Sequence, residues 1–233
     1  MGFEIESKQQ VLDVLAPELT PDEAGEYLPV AQAQFAEQTR EHEKAKTQSA
    51  RCKDVCDQNA LTARFLASKS AVLTAERDEL KAASRNELFA MHGDCDVEGV
   101  SGMLRKKEDA VNFVDAAYSF LLEVKSPADT IVWLDALANE AEAEHSAICA
   151  AAVLSRTRTI AALGPVMQSE GGAIGVIGGA TERLREQAKV AYKRIESARN
   201  AARDARLAYE RAQSARVSRG IVKSANVTHA IGH

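Results

Sequence analysis

Glu142-x-x-His145 sets a carboxylate and an imidazole one helical turn apart, the spacing by which helical bundles hold bridged di-iron centres. Such a centre needs a second Glu-x-x-His and two further glutamates, and no other histidine here has Glu three residues before it. His42 is flanked by Glu41 and Glu43, but sequence neighbours point apart on a helix. Cys52-x-x-x-Cys56 puts two thiols on one helix face, and His92 with Cys95 would complete a zinc set by type. Roughly 36 residues of helix, or about 54 Å, separate Cys56 from His92, so one straight helix cannot bring them together. Asp94 and Asp96 have no visible partner acid. There is no nucleophile elbow, catalytic triad, kinase signature or dinucleotide fingerprint. The expectation is a protein with no catalytic residues, no metal and no cofactor.

The second stretch that invites chemistry is GGAIGVIGGA, residues 171–180. Its candidate residues are Gly171, Gly172, Ile174, Gly175, Val176, Ile177, Gly178 and Gly179. A phosphate cradle needs G-x-x-x-x-G-K-[ST], or G-x-G-x-x-G after a strand, and neither is present. An uncharged apolar loop between long amphipathic helices suits a membrane-inserting tip, yet ten residues are too few to span a bilayer as a helix. The stretch is therefore expected to be a glycine-permitted reversal, its apolar side chains packed on the bundle end or shared with a neighbour.

These residues need elements to position them, and composition says which. Apolar residues make up 45% of the chain but aromatics only 5%, with one tryptophan, Trp133. Alanine supplies much of the apolar content, which favours narrow helix–helix contacts over a thick core. Net charge is −5. Residues 1–50 carry ten acids and four bases, whereas 182–219 carry eleven bases and five acids. Such asymmetry predicts internal pairing or a partner-binding face. The bases of 182–219 are interleaved with acids and lack aromatics placed for stacking, so nucleic acid is not a favoured partner. The start MGFEIESKQQ has neither a basic segment nor an apolar one and fails the myristoylation pattern at Glu6. No apolar run reaches about 18 residues. The expected setting is cytoplasmic or particle-associated, with Cys52, Cys56, Cys95 and Cys149 reduced.

Residues 1–29 read as a short N-terminal helical segment, with Thr20-Pro-Asp-Glu23 as a capping box. Helices are expected at about 30–91, 103–124, 127–163 and 181–219, all within one bundle over 30–219. The first carries a seam running from Phe35 through His42, Ser49, Cys52, Cys56, Asn59, Leu66 and Leu73 to Leu80. Ser126 and Pro127 predict a helix start, leaving open whether 103–163 is one helix or two. The last helix has the cleanest period: Leu184, Ala188, Ala191, Ile195, Ala198, Ala202, Ala205, Tyr209 and Ala212. Gly220 should stop it, leaving 220–233 as an extended tail.

Equal reaches and short loops predict an all-α, elongated, antiparallel up-down-up bundle with coiled-coil character. Between Lys125 and Arg156 there are acids but no bases. If 164–180 is the turn, facing residues have numbers totalling about 344 on equal rise. Asp129, Asp135, Glu140 and Glu144 would then serve Arg199, Arg203, Arg206, Arg211 and Arg216. The expected function is non-enzymatic: a structural or assembly protein acting by helix packing and oligomerisation, as in a large particle such as a virion. Its partners would be itself or other protein subunits, met through helical faces and the tail. The alternatives are a membrane-active pore-forming or ejection protein with 171–180 as its tip, and a cytosolic helical adaptor.

Overall fold

The computed structural model describes residues 19–83, 97–163 and 172–230. All of them are helical except Leu19, Thr20 and Ala83. The elements are α1 (Pro21–Ala82), α2 (Val97–Phe120), a π-helical turn (Leu121–Lys125), α3 (Ser126–Leu163) and α4 (Gly172–Ala230). The fold is an all-α bundle of long helices.

The capping box forms as its sequence requires. The Glu23 carboxylate accepts from the Thr20 N–H at 2.8 Å, and the Glu23 N–H donates to Thr20 Oγ1 at 3.4 Å. Helix α1 therefore starts at Pro21 rather than near residue 30, and Pro29 lies inside it. Proline's fixed φ is helical, and its cost is one lost hydrogen bond and a ring pressed towards the carbonyl of residue 25. That residue is glycine, with open space around it. Ala24 and Ala31 are both buried, so packing holds the helix on either side of the proline.

The second half of the chain corrects three boundaries. No helix start occurs at Ser126: its backbone is α-helical (φ −61°, ψ −43°) and its N–H donates to the Leu121 carbonyl, five residues back. Helices α2 and α3 thus run into each other through a π turn. Pro127 accounts for the widening, since its ring would collide with the Glu123 carbonyl of a regular helix and it has no N–H to give that carbonyl. The Gln213 side-chain amide of α4 donates to it instead, at 3.2 Å. The glycine-rich stretch is not a loop from Gly172 onward, because α4 begins there. Glycine costs about 1 kcal/mol relative to alanine in a helix but does not forbid it, and a helix already formed adds one bond per residue. For the same reason Gly220 does not stop α4, and residues 220–230 are helical rather than extended. Gly171 and the reversal itself, like Cys95, His92, Asp94 and Asp96, lie outside the described residues.

Packing divides the chain into two units. The first contains α1 up to Arg51, α3 from Leu134, and α4 up to Arg203. Its buried residues are mostly small: Ala24, Ala31 and Ser49 on α1; Ala136, Ala138, Ala141, Ala152, Leu154 and Thr157 on α3; Ala188, Ala191, Ile195, Ala198 and Ala202 on α4. Those on α4 are successive positions of the expected seam. Alanine lets helix axes approach to about 8 Å and loses no side-chain entropy on burial. Helix α3 has another helix on more than one side, since α1, α3 and α4 all line one cleft. This explains why its apolar residues do not keep to one face.

The second unit contains α1 from Cys52, then α2, the π turn and α3 up to Trp133, and α4 from Asp204. Its buried residues are fewer and larger: Asn59 on α1, Val111 and Val114 on α2, and Leu121 in the π turn. Along all of α1, every residue quoted above for the seam is buried or half-buried.

Candidate interaction surfaces

In the first unit α3 and α4 run antiparallel, joined by two ion pairs. Arg194 donates to Glu144 at 2.5 Å, and Arg199 donates to Glu142. Both pairs are largely exposed, so each contributes about 0.5 kcal/mol or less. Their importance is register. Glu144 meets Arg194 instead of the expected Arg199 and Arg203, and Arg199 is held by Glu142. The expected pairing assumed a turn centred within 164–180, whereas α4 already begins at Gly172. With α4 beginning earlier, the facing pairs are displaced from that register by about three to six residues. In the second unit Arg216 likewise approaches Glu123, at 3.9 Å, instead of Asp129. Asp135, Arg203 and Arg206 make interactions of their own. Arg211 is exposed, and Glu140 lines a hollow of about 240 Å³ beside Leu134, Leu137 and Arg194.

Engaging Glu142 with Arg199 also changes the reading of Glu142-x-x-His145. The carboxylate is an ion-pair partner, and the His145 ring lies edge-on to Tyr192 with centroids 6.2 Å apart. Cys149 Sγ is 3.8 Å from His145 Nδ1, one turn along the same helix. Among the described residues no three His, Cys, Asp or Glu side chains form a group able to hold a metal ion. No described helix is long and apolar enough to cross a membrane.

The cleft lined by α1, α3 and α4 of the first unit has a volume of about 660 Å³. Phe35, Ile148, Leu184 and Val190 give it an apolar wall, with His42 and the Glu144–Arg194 pair at its edge. Sequence patterning placed several of these residues on seams but did not show that they leave a gap. The gap follows from a seam that mixes alanine with a few large side chains.

The second unit is cross-linked by polar side chains, among which the seam pattern marks Asn59 and the charge pattern Asp129. Buried Asn59 donates its amide to Asp129 at 2.7 Å. Ser70 donates to Asp115, and Lys107 pairs with Glu76. Lys81 pairs with Glu108 at 2.8 Å, and that hydrogen bond, with the lysine charge, holds the Glu108 carboxyl below its usual range. These bonds fix α1 antiparallel to α2 and the start of α3. Burial pushes the Cys56 thiol up and so disfavours its thiolate, partly offset by a hydrogen bond to Thr130. A buried asparagine at a seam position is a known device for fixing register, at some cost in stability.

Large apolar side chains also stand on the outside. Phe113, Phe120, Phe65 and Leu61 are each more than half exposed. Lys69 reaches over the Phe65 ring at 5.9 Å, which suits that ring to water.

No protein-family model, no curated protein and no solved structure matches the chain. Fold and surfaces define the class, an all-α helical-bundle protein, and any reading of its function rests on its own residues.

Proposed function

We propose that this chain is a non-enzymatic structural or assembly protein, working by helix packing and oligomerisation as a repeated part of a larger particle. One observation carries the reading. Phenylalanines stand exposed on a helix face of a protein whose own buried contacts are made chiefly by alanine. Monomeric proteins tolerate single exposed apolar residues, but large rings repeated along one helix face mark an interaction surface. The Ala188–Ala202 seam supports the same reading, because small-residue seams suit close helix contact within and between chains. The test is sedimentation of the purified full chain over a range of concentrations. A mass that rises with concentration is expected. A monomer throughout would remove the proposal and favour an adaptor that presents its helix faces to other proteins.

A further inference from the structure

No further inference is drawn: the strongest candidate, the cleft between α1, α3 and α4 of the first unit, joins an apolar wall to an edge of mixed charge where Glu144 already holds Arg194, and nothing in the structure shows what covers it.

Discussion

In the unit built from α1 up to Arg51, α3 from Leu134 and α4 up to Arg203, the buried residues are overwhelmingly alanine. In the unit built from the other halves of the same helices, they are Asn59, Val111, Val114 and Leu121. The first gains stability from many close, shape-dependent contacts and uses exposed ion pairs for register. The second has fewer buried apolar groups and a series of polar links between α1 and the helices beside it, with a π turn where Pro127 interrupts the hydrogen-bond ladder. An alanine seam is intolerant of volume. A polar seam is intolerant of losing a partner. Both can keep long helices in register, and substitutions should tell them apart.

The largest effect should come from adding volume to the alanine seam. Ala191 is 1% exposed, so Ala191→Leu is expected to cost about 3 kcal/mol by forcing the helices apart. Chemical denaturation would read it as a fall in midpoint, and an unchanged midpoint would mean that this seam is loose. Next is Asn59→Leu in the polar unit. It leaves the Asp129 carboxylate without its amide donor and is expected to cost about 1–2 kcal/mol. If it stabilised the protein instead, the asparagine would be a register device bought with stability, and the separation of pairing registers should then blur in crosslinking maps.

Gly25 and Gly102 offer a matched pair, one in each unit, both helical and both with open space where a Cβ would go. Gly25→Ala and Gly102→Ala should each stabilise by about 0.5–1 kcal/mol. A clear difference in melting temperature between them would show that one helix segment is less firmly formed than the other. The smallest effect concerns pH. Hydrogen bonds from Thr20, the backbone one foremost, lower the Glu23 pKa in the folded chain. Its contribution is therefore present above the ordinary glutamate range and lost as pH falls through the folded value. Glu23→Gln should flatten the acid limb of the stability profile slightly, and an unaltered profile would argue that the cap adds little.

The sequence by itself determined the class of fold, the capping box at Thr20 and both seams. All of these depend on near-neighbour chemistry and on a period of 3.6 residues, which a single chain displays directly. The seam on α1 and the run from Ala188 to Ala202 on α4 could be read residue by residue because the 3.6-residue period alone places them on one face, although Ala212, at the end of the expected α4 seam, is exposed. What only the tertiary structure decided were the helix ends, the register and the partners of the charges. Gly172, Ser126 and Gly220 each carry a local signal to begin or break a helix. In each case the neighbouring helical turns outweigh a penalty of about 1 kcal/mol or less. Once α4 began at Gly172, every cross-helix pair counted from a later turn moved with it, so Glu144 went to Arg194 and Arg199 to Glu142. The gap beside Phe35 and the exposure of Phe113 were hidden for a related reason. Periodicity says which face of a helix is apolar, and only the packed chain shows which apolar face finds a neighbour.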